Sequence, residues 1–260
     1  MLSRMKDLAR RGARALGFEV FAYNHRRVHD LRKRKLLRDL DITLVFDGGA
    51  NAGQYGRQLR AAGYTGRIAS FEPIPEVFEE LQAAVAGDPK WEAIRVALGE
   101  RDGEADFHVA EFSQVSSLLP ATGASITGEW TRTRQRRVPL RRLDSIALDH
   151  VRPDDRVYLK LDIQGYELQA LAGAEQILGH VLAVEVELST LPLYRGEGLL
   201  PEVVHWLAQR GFGVFSADTV AVDHLTGRVL QFEVLLVNDV AQSAGGLLLH
   251  EETGCSPQTR

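Results

Sequence analysis

Short apolar runs alternate with amphipathic stretches along most of the chain. Residues 42–46 (Ile-Thr-Leu-Val-Phe), 67–71 and 91–98 read as buried strands, because a strand covered on both faces needs apolar side chains at successive positions. Between them, residues 53–62 and 75–85 have helical spacing, the second opening on a proline suited to a first turn. Residues 105–109 and 134–140 read as strands flanking a Ser/Thr/Gly-rich loop at 113–128, long enough to suggest a functional segment. The alternation then resumes: strand 156–161, helix 166–178, strand 181–188, helix 199–209, and late strands 213–215 and 232–237 around a hairpin turn at 224–228. Upstream, residues 3–38 read as one or two helices, with Leu8, Ala9, Ala13 and Leu16 at mixed three- and four-residue spacing.

Strand and helix in alternation predict an α/β fold: an open, twisted, mostly parallel sheet with helices on both faces. One such domain is expected at residues 39–240, between a helical segment at 1–38 and a tail at 241–260 that is low in order signals.

Charge separates the first segment from the rest. Residues 1–38 hold twelve Lys/Arg, four of them consecutive at 32–35, against only Asp7, Glu19 and Asp30; the remainder holds nineteen basic and thirty-two acidic residues. The acidic body makes a poor nucleic-acid binder, so no nucleic-acid partner is expected. The basic segment suits an anionic membrane surface, an acidic partner or the acidic body itself, or is simply a solvated face. No run of about eighteen apolar residues predicts a transmembrane helix, and the N-terminus lacks the apolar core of a signal peptide. The single cysteine, Cys255, excludes a disulfide framework and fits a reducing cytoplasm.

Four segments carry chemistry. In Val45-Phe46-Asp47-Gly48-Gly49-Ala50-Asn51-Ala52-Gly53 an acid ends the first strand beside a glycine turn, where a ligand can approach the backbone. The spacing is neither Gly-x-Gly-x-x-Gly nor a phosphate-gripping loop, so Asp47 points to a ligand with an ammonium or other donor rather than a pyrophosphate; it is also placed to cap the next helix. Glu72, before Pro73, ends the second strand 19 residues after Gly53, where an acid can accept hydrogen bonds from both ribose hydroxyls. Together the two acids predict a nucleoside-containing cofactor across the ends of the first two strands. Asp162, in Leu159-Lys160-Leu161-Asp162-Ile163-Gln164-Gly165-Tyr166-Glu167, lies just past a later buried strand. Glu185 and Glu187 share one face of the next strand, with Glu187 nearer the cleft. Asp162 and Glu187 can form a paired-carboxylate site that binds a divalent ion, magnesium or manganese, or receives a substrate proton; a purely hydrogen-bonding role for the pair is the alternative.

The ordered segments Val-Phe-Asp-Gly-Gly-Ala-Asn-Ala-Gly, Phe-Glu-Pro-Ile-Pro, Leu-Lys-Leu-Asp-Ile-Gln-Gly-Tyr-Glu and Glu-Leu-Ser…Pro-Leu-Tyr-Arg-Gly resemble the FkbM family of methyltransferases over residues 42–238. The resemblance implies a class I methyltransferase (Rossmann-like) sheet, S-adenosylmethionine as donor, and O-methylation of natural products or sugars; the functional expectation is a hydroxyl of a sugar, glycolipid or natural product. It places Asp47, Gly49, Asn51 and Gly53 along the methionine part and Glu72, with Pro73, at the ribose. Residues 114–119 resemble the family's Ser-Ser-Leu segment near the cleft, and Gly48 stands where the family often has valine. On this reading Asp162 and Glu187 are the catalytic candidates, Asp162 first. Two rivals are an NAD-dependent oxidoreductase, disfavoured by the missing Gly-x-Gly-x-x-Gly, and a non-catalytic membrane-surface or partner-binding protein that keeps the fold, supported only by residues 1–38.

Overall fold

Residues 37–260 form the larger of two compact units and carry a seven-stranded sheet; residues 1–36 form the smaller. The computed structural model describes residues 25–122, 133–223 and 225–238. Residues 1–24, the loop from 123 to 132, His224 and the expected tail lie outside the described residues, whereas the basic run at 32–35 belongs to helix α1 (His25–Asp39).

The larger unit runs β1 (Leu44–Gly48), α2 (Gln54–Ala61), β2 (Arg67–Phe71), α3 (Pro75–Val85), β3 (Trp91–Ile94), β4 (Ala97–Leu98), β5 (Gly103–Ala110), β6 (Thr133–Arg141), α4 (Leu143–His150), β7 (Val157–Leu161), α5 (Glu167–Ala172), β8 (Val181–Ser189), α6 (Leu200–Ala208), β9 (Phe212–Val222) and β10 (Val229–Asn238). The main sheet has the order β3-β2-β1-β7-β8-β10-β9, and only β10 runs antiparallel to its neighbours. The chain lays β1, β2 and β3 outward to one edge, then returns to place β7 on the other side of β1. That reversal opens a crevice at the carboxyl ends of β1 and β7, where sheets of this kind bind ligands.

The structure differs from the expected elements in four places. Residues 91–98 are two strands rather than one: Trp91–Ile94 extends the main sheet, while Ala97–Leu98 pairs with β6 in a second, three-stranded sheet of order β4-β6-β5. An apolar run carries no mark of where its pairing partner changes. The helix expected at 166–178 ends at Ala172, with a separate 3₁₀ turn at Ile177–Gly179. Helix α4 was not expected from the pattern, because only Leu143, Ile146 and Ala147 among its eight residues form an apolar face. The late strand expected at 213–215 is far longer, Phe212–Val222, and forms a hairpin with β10.

The two faces of the main sheet differ in kind. Leu44, Phe46, Leu159, Leu161, Val184, Val186, Val234 and Leu236 point to one face and pack with Leu143, Ile146, Ala170, Leu171, Val203 and Leu207 in the main apolar core. On the opposite face, adjacent strands align Ser70, Asp47, Lys160 and Glu185 in one cross-strand row, all buried. A row of polar groups in a sheet interior persists only if its members satisfy one another. Among the described residues no helix is long and apolar enough to cross a membrane.

Candidate active site

The turn after β1 is shaped from below. Asp47 is fully buried; its Oδ2 accepts a hydrogen bond from Ser70 Oγ at 2.9 Å, and its Oδ1 lies 3.3 Å from Lys160 Nζ. Trp91 Nε1 donates to the same Ser70 oxygen, so the pairing extends to β3. Gly49 has φ +74, and a Cβ there would stand 1.9 Å from the carbonyl oxygen of Asp162. Only glycine permits the β1 and β7 turns to approach this closely. Asn51, also at positive φ, accepts from Ala52 N through Oδ1 and donates from Nδ2 to Ser113 Oγ at 2.8 Å. Gly53 precedes α2 and faces Leu81, Ala84 and Trp91.

Glu72 sits at the end of β2, 4% exposed, with each carboxylate oxygen accepting one main-chain N–H: Asn51 N to Oε2 at 3.1 Å and Ile74 N to Oε1 at 2.8 Å. Burial pushes its pKa up to about 7, against those two hydrogen bonds, which hold it down. Each oxygen keeps a lone pair free for a further donor.

Beyond β7, Asp162 keeps 36% of its side chain exposed. Its Oδ2 is 3.7 Å from Lys160 Nζ, and its Oδ1 accepts a hydrogen bond from Gln164 Nε2 at 2.8 Å. The same nitrogen donates to Glu187 Oε1 at 3.1 Å, which Gln231 Nε2 also reaches at 2.9 Å. Burial first, and then the charge of Asp162, push the Glu187 carboxyl well above the ordinary carboxylate range. Glu185 has a different environment from Glu187: the hydroxyls of Tyr55 and Tyr158 both donate to its Oε2. Lys160 is buried among Asp47, Asp162 and Glu185; burial alone lowers an ammonium pKa, but these acids outweigh it and the net shift is upward.

These turns border a cleft whose open space, including the part continuous with solvent, is roughly 630 Å³. Of the residues expected from sequence, Gly49, Asn51, Glu72, Pro73 and Asp162 line it. Asp47 and Gly53 do not; they support the loop from behind. Glu187 does not border it either, because Gln164 stands between. The Ser-Ser-Leu segment does reach the cleft, through Gln114, Ser116 and Leu118, with Ser113 just ahead of it also in the lining. Lys160, Gln164 and Tyr194 were given no role by spacing. The available signal was a lone lysine between Leu159 and Leu161 in an otherwise apolar strand, which demands an internal partner just as a buried acid does.

The lining fits a cationic nucleoside donor. It offers a carboxylate with two free lone pairs at Glu72, apolar walls from Ile74, Val96, Leu98 and Phe107 for a planar base, and an acid at Asp162 with no lysine or arginine among the lining residues. It does not fit the divalent ion. Gln164 places an N–H donor between Asp162 and Glu187 where an ion requires oxygen ligands, and among the described residues no group of three or more His, Cys, Asp or Glu is placed to hold a metal.

Residues 47–214 match the methyltransferase FkbM domain. The chain belongs to the FkbM methyltransferase family. It is an S-adenosylmethionine-dependent methyltransferase, and its mostly parallel seven-stranded sheet is the class I architecture. Among solved structures it is similar to magnesium protoporphyrin IX methyltransferase from Synechocystis PCC 6803 with bound donor (10% identity, 81% of this chain and 79% of that chain, TM-score 0.42). It is also similar to an rRNA methylase from Streptococcus thermophilus (14%, 80% and 94%, 0.43) and a putative methyltransferase from Thermobifida fusca YX (12%, 82% and 80%, 0.48). The porphyrin and rRNA are acceptors of those proteins and are not transferred to this FkbM methyltransferase. No curated protein matches the chain.

Proposed function

We propose that this methyltransferase methylates a hydroxyl oxygen of a sugar, glycolipid or natural product, with Asp162 as general base. The observation that carries the reading is the Asp162 carboxylate: partly exposed on the cleft wall, with Oδ1 hydrogen-bonded by Gln164 and Oδ2 in a looser 3.7 Å ion pair with Lys160, outside hydrogen-bond distance. Oδ2 is therefore the oxygen left to accept a proton. When bound, S-adenosylmethionine supplies a methyl group on a sulfonium sulfur, which leaves as a neutral thioether. An alcohol is a weak nucleophile until its proton moves, so a carboxylate beside it contributes roughly a hundred- to ten-thousand-fold in rate. The O–H bond breaks toward Asp162 Oδ2 as the new O–CH₃ bond forms. Glu72 would hold the ribose hydroxyls and the Gly49–Asn51 turn the amino-acid end, leaving Asp162 on the acceptor side. Glu187, set back from the cleft, meets the site through the Gln164 amide and through its charge interaction with Asp162.

The reading is tested with methyl-labelled donor and a panel of hydroxylated acceptors and cell extract, identifying the labelled product and its methylated atom. Labelled oxygen and an Asp162→Asn variant that binds cofactor but turns over at least a hundredfold more slowly support it. Label on nitrogen or carbon overturns it. For the basic segment at 1–38 we propose contact with an anionic surface. Salt-sensitive sedimentation with anionic vesicles supports that contact, and equal sedimentation with neutral vesicles contradicts it.

A further inference from the structure

Gln164 lines the cleft in a tightly constrained setting. It is 9% exposed and has φ +56, a left-handed conformation that a residue with a Cβ adopts only at a cost and that clusters at functional sites. Its side-chain hydrogen-bonding groups are all engaged. The amide nitrogen has two hydrogens and two carboxylates to receive them, Asp162 at 2.8 Å and Glu187 at 3.1 Å. Its Oε1 accepts from the Tyr194 hydroxyl at 2.8 Å. Its main-chain oxygen accepts from Ser117 Oγ at 2.6 Å, and the Tyr194 hydroxyl also lies 3.2 Å from the Val115 carbonyl. Residues 113–119, several of which line the cleft, are thus tied to the turn that carries Asp162 by one direct contact at Gln164 and by a second that runs through Tyr194.

The chemistry of the position is selective. Two acids this close repel if both ionise, and a third acid between them would worsen the repulsion. A neutral side chain with two donors on one atom and an acceptor on the next satisfies both acids and the tyrosine together. The orientation of the amide follows: the nitrogen must face the acids, and the oxygen must face Tyr194.

We propose that Gln164 is a positioning residue for methyl transfer: it fixes which Asp162 oxygen faces the acceptor and couples that aim to the position of the 113–119 wall. The proposal rests on Asp162 as the base. An acceptor seated against residues 113–119 then meets Oδ2 of Asp162, because Oδ1 is held by the amide. Positioning of this kind acts on turnover rather than on cofactor binding, and a displacement near 1 Å can cost on the order of a hundredfold.

The test uses the full chain with Gln164→Glu, Gln164→Met, Tyr194→Phe and Asp162→Asn, with folding checked by circular dichroism and cofactor affinity measured with S-adenosylhomocysteine. The charged groups facing the site are Asp162, Glu187, Glu167, Glu197 and Lys160, besides the Tyr194 hydroxyl. Gln164→Glu is expected to keep cofactor affinity within about threefold and to lose roughly ten- to a hundredfold in kcat at pH 8. That loss should shrink toward pH 6, because a protonated glutamic acid regains one donor. Gln164→Met should show the loss at every pH, since it has no donor to regain. Tyr194→Phe introduces no charge, so it serves if the others misfold; it should raise acceptor KM and lower kcat with cofactor affinity intact. Wild-type kcat in the Gln164 variants while Asp162→Asn is impaired would overturn the positioning role alone. Wild-type kcat in Asp162→Asn would overturn the base reading and this proposal with it. Parallel losses of cofactor affinity and kcat in Gln164→Met and Tyr194→Phe would assign the residue to the cofactor instead.

Discussion

Lys160 Nζ lies 3.3 Å from Asp47 Oδ1 in the middle of the main sheet, and both side chains are buried. The same ammonium reaches the carbonyl oxygens of Gly48 at 3.2 Å and Gly49 at 3.4 Å, and it lies over the Tyr55 ring. One cation therefore joins the acid that ends β1, the glycine turn of the cofactor site and, through Asp162, the acceptor side. Removing one partner from such a pair leaves an uncompensated charge in the interior, which costs about 3–5 kcal/mol. Lys160→Met should destabilise the fold by that order in urea denaturation. The double variant Lys160→Met/Asp47→Asn should recover part of the loss, since the Asp47 charge is then gone while Asp162 and Glu185 still lack the cation. Additive losses would show that the two residues do not act as a pair.

Glu72 gives a prediction for cofactor affinity and its pH dependence. Removing a carboxylate that accepts from a ligand costs roughly 1.5–3 kcal/mol, so Glu72→Ala should weaken binding of S-adenosylhomocysteine by that order in calorimetry. Burial raises this acid to about 7. The ionised form is the better acceptor for two hydroxyls, so affinity should rise with pH through about 7 and level off above it. Glu72→Gln should flatten that dependence. A wild-type affinity that does not change between pH 6 and pH 8 would count against Glu72 as the ribose acid.

The fold was legible where burial imposes a simple pattern. A parallel strand covered on both faces must be apolar at nearly every position, so residues 42–46, 67–71 and 156–161 identify β1, β2 and β7 to within two residues. Asp47, Glu72 and Asp162 stand out because each interrupts or ends such a run. Less visible were features that depend on contacts distant in sequence. Gln164 looks like an ordinary polar turn residue until β8 brings Glu187 beside it and residues 193–194 bring Tyr194. The short helix Leu143–His150 is defined by the core it covers more than by its own periodicity. Glu187 was legible as an acid on the correct face but not as one screened from the cleft, because a strand pattern gives facing and not depth.

Glu167 links the site to stability. It is 2% exposed, and its Oε1 accepts from Ile163 N at 3.0 Å in the turn below Asp162. Burial raises its pKa from 4.5 to about 8, with the charges of Asp162 and Glu197 adding to the rise. The folded state therefore holds this proton more tightly than the unfolded state. Its contribution to stability is fully present below about 4.5 and is lost as pH rises through about 8. Glu72 and Glu187, also raised, act in the same direction. The thermal midpoint should fall between pH 5.5 and pH 8.5, and Glu167→Gln should reduce that slope and be the more stable protein at pH 8.5. A steeper slope in the variant would contradict the assignment.

Asp162 and Glu187 should separate in kinetics although they share one amide donor. Asp162 borders the cleft with Oδ2 outside any hydrogen bond and 3.7 Å from Lys160 Nζ, and Asp162→Asn removes the base while keeping the shape, so kcat should fall by roughly a hundred- to ten-thousand-fold with little change in cofactor affinity. Glu187 is set behind Gln164 with its carboxyl pushed well above the ordinary carboxylate range, so a glutamine there resembles the native state at neutral pH. Glu187→Gln should then turn over within a few-fold of wild type at pH 7. As pH rises the two proteins should diverge, because wild-type Glu187 ionises beside Asp162 and the variant does not. The variant should retain activity to higher pH than the parent, as removing the second charge relieves the repulsion across Gln164. A large loss in Glu187→Gln at pH 7 would instead require an ionised Glu187 in the reaction, and the paired-carboxylate reading would replace the single base.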